Sequence, residues 1–563
     1  MDQIVGATET IVRDHALPTP ASGRTVKSFR QILFWPLQLM PLKEDSQIHH
    51  HWELLGCAGG GAWEELLDEF EVDPALFQER HYREFVAFLP HVQRFLYGEG
   101  SVGGSRSEYR ESPLRVYRRK GVAKVRIVLG DRPEPVVLDV QHVDLYFFYD
   151  VDVVILALEV AGADLSLELV QDVLFHFGRA YPAGWTDDGS GYHCVKVEWL
   201  GEDGRVLATS DFENQEKFLA SVCRHRAPAI AANWEYLLEP MVPHHSGRTG
   251  ALRYRQLEYH RMPIMAYLAH ENPEALTRAD YVRLAFCTAS GARDTLPFSS
   301  RFLQRFEPEY CYDRYFEGAP REQWCDTRMM CCGHAFVMVG PERSPFFTDP
   351  ERGLLGQFRH QYFVVGLLAH FHRAALLMLS DRLVSAVKRL DITEGASIRR
   401  FRRDIRQTLE IFLRFTHRYW YHEVTDQAQL RDLFHMWTRH LGSERLYKEV
   451  RDELHDMSTY LDSDILRRQS NTMVRLTVVT ILGMIGVTVT GFFGMNLLSW
   501  AGEPLLDRTV FFLAVLIPTV TLTVYTVIKS PRLAEFLDAL SDERMTTAKK
   551  WTSFRKVWRS SRR

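Results

Sequence analysis

The sequence is poor in cysteine. Its eight thiols (Cys57, Cys194, Cys223, Cys287, Cys311, Cys325, Cys331 and Cys332) in 563 residues show no framework spacing. That usage fits a reducing compartment. Charge of one sign is also scarce, because 68 Lys and Arg against 72 Asp and Glu leave a net charge of -4. No global basic field is available for nucleic acid. The sequence has no GxxxxGK[ST] loop, so it offers no phosphate cradle for ATP-driven work. The opening MDQIVGATETIVRDHALPTP carries acids and no long apolar core, so no secretory signal is expected there. At 46% apolar and 25% charged residues, the composition is ordinary globular and excludes a wholly disordered, collagen-like or low-complexity chain. At about 150 residues per domain, the chain has room for roughly three to four domains.

Mean hydropathy is -0.20, an average that hides two long apolar runs. Leu476–Phe493 has 18 residues without a charge and Val510–Ile528 has 19, with 16 residues between them. Each is long enough to span a bilayer. A third run, Tyr362–Leu379, carries His370, His372 and Arg373 at its centre. A mid-bilayer Arg is costly, so this run reads as a largely buried soluble helix. Ile32–Leu42 is too short to span and contains two prolines; it reads as a buried strand and linker.

Arg467, Arg468 and Arg475 precede the first span, and Lys529 and Arg532 follow the second. The connector between them holds Glu503, Asp507 and only one base, Arg508. The positive-inside rule then puts both termini in the cytoplasm and the connector outside.

Before the spans, Arg115–Lys120, Ala123–Leu129, Val136–Val140, Leu145–Phe148 and Val153–Val160 read as strands. Leu165–Phe177, Asp211–Leu238 (opened by Asp211 or Ser210), Arg253–Leu268 and Thr277–Phe286 read as helices. The Pro-, Gly- and Cys-rich segment 288–340 shows no clear periodicity. From Gly353 the pattern turns helical, with Leu354–Leu390 and Ile398–Tyr421. From Gln427 apolar residues recur at steps of three and four, the seam of a coiled coil. This predicts a stalk helix running unbroken into the first span. The expected fold is therefore an α+β cytosolic domain with a long helical stalk, followed by two C-terminal transmembrane helices. The divisions are 1–352 (mixed α/β), 353–471 (stalk region), 472–496 (first span), 497–509 (external loop), 510–528 (second span) and 529–563 (cytosolic basic tail).

The first span ends in Gly494-Met495-Asn496. At 100° per residue Met473, Thr477, Thr480, Met484, Thr488, Gly491 and Met495 share one face. The methionines recur every 11 residues, a period that keeps a face aligned along a nearly straight helix. An uncharged stripe of hydroxyls and thioethers suits a conduit for hydrated ions, although Thr and Gly also favour plain helix packing in lipid.

The motif, its place after the first of two closely spaced spans, the stalk and the α/β domain together resemble the CorA-type divalent-cation transporters. That superfamily includes magnesium/cobalt channels and a ZntB-like zinc branch. The resemblance implies a homopentamer in a cytoplasmic (inner) membrane, gated by its cytosolic domain. It makes Asn496 the ring that holds the hydrated cation at the outer mouth, with Gly494 and Met495 shaping the turn. It also places Met473, Leu476, Thr480, Met484, Val487 and Gly491 on the pore, so Leu476 and Val487 compete with Thr477 and Thr488. Met484 and Leu476 are candidates for an apolar constriction. Glu503 and Asp507 would attract cations outside. Mg2+, Co2+ or Zn2+ is the implied substrate and a possible regulator; no cofactor and no enzymatic activity are implied. The sequence departs from the magnesium channels at Ile485, where Pro is usual, and at Ser470, where Asn is frequent, so ion choice stays open. The competing reading is a membrane-anchored sensor or enzyme whose hairpin is only a tether.

Cys325, Cys331, Cys332 and His334, with Cys311 nearby, match no standard zinc spacing and read as buried small residues. His49–His51 and His244–His245 read as solvated loop histidines, and Ala58–Ala62 (AGGGA) as a flexible turn before a helix. The tail Lys549–Arg563, basic and aromatic, suits an anionic leaflet. The CorA-type resemblance implies metal-sensing cytosolic carboxylates, for which Asp452, Asp456, Asp462 and Asp464 on the stalk are candidates; a solvated helix face is the competing reading.

Overall fold

The computed structural model describes residues 24–40, 51–58, 61–66, 79–98, 113–130, 132, 134–149, 151–186, 191–258, 260–292, 295–316, 326–391, 395–494, 504–507, 509–514, 516–518, 520–521 and 525. The chain divides into two compact units, Met1–Arg451 and Asp452–Arg563. The first unit is built on a mixed sheet of fourteen strands among the described residues.

The sheet is organised around the strand Thr25–Leu39, whose last nine residues are all buried. It pairs antiparallel with Val153–Ser166 along nearly its whole length. Its other edge is shared by Ile264–His270 (through Leu33) and Arg253–Gln256 (from Leu37). Pro36 falls in the gap between those two partners, where its missing N–H leaves no bond unmade on that side. The buried strand expected within Ile32–Leu42 is thus the centre of the fold.

Several boundaries differ from the sequence reading. Val136–Val140 and Leu145–Phe148 are one strand, Val136–Phe148, with a register shift between Val140 and His142. Asp211–Leu238 is two helices, Gln215–His225 and Ala232–Leu238. The first is capped by Asn214 and ends on Arg226 in the left-handed region (φ 54). Asp211 opens neither helix; its carboxylate binds Lys217 Nζ and the Ala232 amide. Arg253–Leu268 is not helical. It holds the strands Arg253–Gln256 and Ile264–His270. The second is buried throughout, and an apolar run covered on both faces has no period to show which element it is. AGGGA is followed by the strand Trp63–Glu65, not by a helix.

Leu354–Lys388 is long and apolar enough to cross a membrane, with mean hydropathy 1.6, but 78% of its apolar window is buried within the protein. Its main part, Phe363–Lys388, packs on Thr25–Leu39 and Val153–Ser166, with the Phe34 and Phe363 rings 5.4 Å apart. The charged centre is satisfied there. Arg373 pairs with Glu258 at 3.1 Å and also bonds the Leu441 carbonyl. His372 bonds the Tyr419 carbonyl. Burial lowers His370 to about 3 and His372 to about 4, so both imidazoles are neutral at neutral pH. A Cβ on Gly366 would lie 2.6 Å from the Trp437 ring, so only glycine lets the helix Ala428–Leu441 approach this closely.

The helix enters through a π-turn, Phe358–Tyr362. This turn directs Arg359 at Glu159, a carboxylate on the sheet that is only 4% exposed. Arg30 and His142 reach the same carboxylate from the neighbouring strands, at 2.7 Å each. Beside it, Arg118 grips Asp144 with two 2.8 Å bonds.

The stalk helix is not unbroken. Ala428–Leu441 ends on Gly442 in the left-handed region (φ 67), and a new helix, Ser443–Gly494, begins immediately. The apolar seam continues through Gly442, which hid the break. No atom lies within 4 Å of a Cβ built there, so Gly442→Ala meets only the left-handed backbone penalty. We expect about 1 kcal/mol of destabilisation, with Gly442→Asn costing less, read as a lowered unfolding midpoint of the first unit.

Candidate functional site

The helix Ser443–Gly494 contains 52 residues, about 78 Å at 1.5 Å per residue. It begins in the first unit and ends in the second. From Leu476 onward it is rich in Val, Ile and Thr, weak helix formers in water, yet no Pro interrupts it.

Within this helix Met473, Leu476, Met484 and Val487 are 63 to 72% exposed in the single chain. Thr477, Thr480, Gly483 and Gly491 are exposed as well, whereas Gly486 and Thr490 are half-buried. The expected pore positions whose side chains are described, Met473, Leu476, Thr477, Thr480, Met484, Val487 and Gly491, are therefore all exposed, so exposure does not choose between Leu476 and Val487 on one side and Thr477 on the other. Thr477 and Thr480 each donate their hydroxyl proton to the carbonyl four residues back, at 2.9 Å. This occupies the proton inward and leaves the oxygen lone pairs outward. The stripe thus combines hydroxyl oxygens, thioethers and aliphatic carbon with no charge.

Gly494 is the last residue of the helix. Met495, Asn496 and Glu503 lie outside the described residues, and only the backbone of Thr488 is described. Asp507 is exposed, its amide bonded to the Pro504 carbonyl at 3.1 Å. Described residues between 509 and 525 are helical, with Val510, Phe512, Ile517 and Val520 exposed. The tail from Lys549 lies outside the described residues.

The thiols behave as core residues. Cys311, Cys331 and Cys332 are buried, and Cys325 lies outside the described residues. Cys332 Sγ is 3.6 Å from His334 Nδ1, and His334 Nε2 is 3.3 Å from the Phe286 carbonyl. Burial pushes the Cys311 thiol up to about 12, raises Cys331 and Cys332, and lowers His334 to about 4. Protonated thiols beside a neutral imidazole are poor starting points for metal binding. His51 is buried with its Nε2 on the Met40 carbonyl; His49 and His50 lie outside the described residues. Among the described residues no group of three or more His, Cys, Asp or Glu could hold a metal ion.

The described part of the helix thus presents an uncharged stripe that is exposed in the single chain. Residues 381–529 match the family described as CorA-like Mg2+ transporter protein. This segment, about a quarter of the chain, holds the exposed stripe and is what the chain shares with that family. Neither curated proteins nor solved structures gave a match.

Proposed function

We propose that the protein is a homopentameric channel or transporter for hydrated divalent cations, with Ser443–Gly494 supplying the pore helix. The observation that carries the reading is the exposed, uncharged stripe from Met473 to Gly491 inside the segment matched by the transporter family. Both apolar runs, Leu476–Phe493 and Val510–Ile528, cross the membrane in this reading, and both termini are cytoplasmic. The Thr477 and Thr480 oxygens accept hydrogen bonds from the water shell of a passing ion. Asn496 holds that shell at the outer mouth without stripping it, which suits Mg2+, a reluctant dehydrator. Glu503 and Asp507 concentrate cations before entry, and Met484 and Leu476 close the pore by dewetting. An inside-negative potential of 100 mV favours entry of each charge by about 2.3 kcal/mol, hence about 4.6 kcal/mol for a divalent ion.

The test is uptake of Mg2+, Co2+ and Zn2+ into proteoliposomes under an inside-negative potential. Potential-dependent uptake of at least one ion is expected, and the ranking chooses between the magnesium-like and zinc-like branches. Correctly inserted protein that moves none of the three would remove the transport reading.

A further inference from the structure

We propose that the tip of the helical hairpin formed by Phe363–Lys388 and Gly395–Arg418 docks on the membrane surface and binds the headgroups of anionic lipids. The inference rests on the reading of the chain as spanning the bilayer, not on the transport of any ion.

The two helices pack on each other, joined by residues 389–394. The Ser397 hydroxyl closes the tip. It donates to the Arg389 carbonyl at 3.0 Å and accepts from the Asp391 amide at 2.8 Å. The end of the first helix is thereby held to the start of the second.

Gly395–Arg418 carries seven arginines against only two acids, Asp404 and Glu410. Its apolar stripe is used inside the protein, because Phe401, Ile405, Phe412 and Phe415 are all buried. The basic side is therefore turned outward, with Arg399, Arg400, Arg403 and Arg406 exposed. Lys388 and Arg389, where the first helix ends, are exposed as well. From Val384 to Arg403 the chain holds six Lys and Arg and two acids, Asp391 and Glu394, so the tip has a clear positive excess.

The last turns of the first helix add a second feature. Val384 and Val387 are 61% and 47% exposed, whereas Leu383 and Ala386 beside them are buried. The two valines lie three residues apart and so share one face. A solvated charged face accounts for the arginines but not for aliphatic carbon left open next to them. Cations around exposed aliphatic side chains suit a lipid interface, where phosphates pair with the charge and the carbon enters the headgroup boundary. The long Arg and Lys stems cover further apolar surface there. An acidic protein surface would satisfy the arginines and leave the valines in water. A chain held in the bilayer also meets its own leaflet at high effective concentration, so individually weak contacts suffice.

The experiment reconstitutes the full chain, with a fluorophore on Ala396→Cys, into vesicles of phosphatidylcholine alone or mixed with phosphatidylglycerol. Ala396 is exposed and carries none of the charge; wild type treated with the same label corrects for the native thiols. Brominated acyl chains should quench the fluorophore at least about twofold more in the mixed vesicles, and high salt should remove the difference. Joint Lys388→Gln, Arg389→Gln, Arg399→Gln and Arg400→Gln should abolish it at an unchanged elution volume, and Val384→Ser with Val387→Ser should reduce it. A fluorophore equally open to water in both lipid mixtures overturns the proposal. So does one shielded in detergent as fully as in lipid, which would put the tip on an acidic protein surface. Inserted protein with no lipid-dependent quenching overturns the docking alone; protein that alkaline carbonate extracts from the vesicles overturns the spanning reading as well.

Discussion

Asn496→Ala should reduce divalent-cation uptake into proteoliposomes by at least about tenfold, whichever ion the wild type prefers. The amide at the end of the first apolar run is the one polar side chain that the Gly-Met-Asn motif offers a cation. A hydrogen bond to a charged group is worth about 1.5–3 kcal/mol, and about 1.4 kcal/mol is already a factor of ten. In a pentamer the loss repeats five times around one ion. Alanine is smaller than asparagine, so a blocked pore cannot explain the loss, and an unchanged elution volume would show that assembly survives. Uptake that persists at the wild-type rate would remove Asn496 from the outer mouth and leave the exposed stripe to be explained as a packing face.

The helix face that carries the candidate stripe was easier to read in the sequence than the tertiary fold. An uncharged run that ends in a short motif is a linear feature, and a helical wheel needs only the sequence to find its face. The 11-residue recurrence of Met473, Met484 and Met495 and the steps between threonines are local. The core helix after Gly353 was legible for the same reason, since Arg373 and two histidines at its centre argued against a bilayer. Contacts far apart in sequence were not legible. Nothing local marks His142, Glu159 and Arg359 as partners, because they meet only when Val136–Phe148 pairs with Val153–Ser166 and the π-turn closes over both. The π-turn itself adds one residue to a helical pattern that reads the same with or without it. Gly442 was visible as the single glycine between Gln427 and Arg475, but its left-handed backbone was not. Ile264–His270 failed because full burial erases the alternation that distinguishes strands.

Neutralising Glu159 should destabilise the first unit. Its carboxylate is 4% exposed and receives Arg30, Arg359 and His142 at 2.7 to 3.1 Å. Burial alone would raise its pKa. The bond from His142 and the charges of Arg359 and Arg30 overcome that and hold it down to about 2, from an ordinary 4.5. A depressed folded-state pKa means stability that is present above pH 4.5 and lost as pH falls towards 2. About 2.5 units at 1.36 kcal/mol each corresponds to about 3 kcal/mol. Glu159→Gln keeps the shape and removes the charge, leaving two guanidiniums facing a neutral amide. We expect it to destabilise the first unit at neutral pH by about 3 kcal/mol, the scale for breaking one side of a buried pair. It should also flatten the loss of stability between pH 4.5 and 2, because the group that titrates there is gone. Thermal unfolding of wild type and variant across that range measures both effects. A variant as stable as wild type at pH 7, with the same acid dependence, would mean that solvent already neutralises Arg30 and Arg359 and that the cluster contributes position rather than stability.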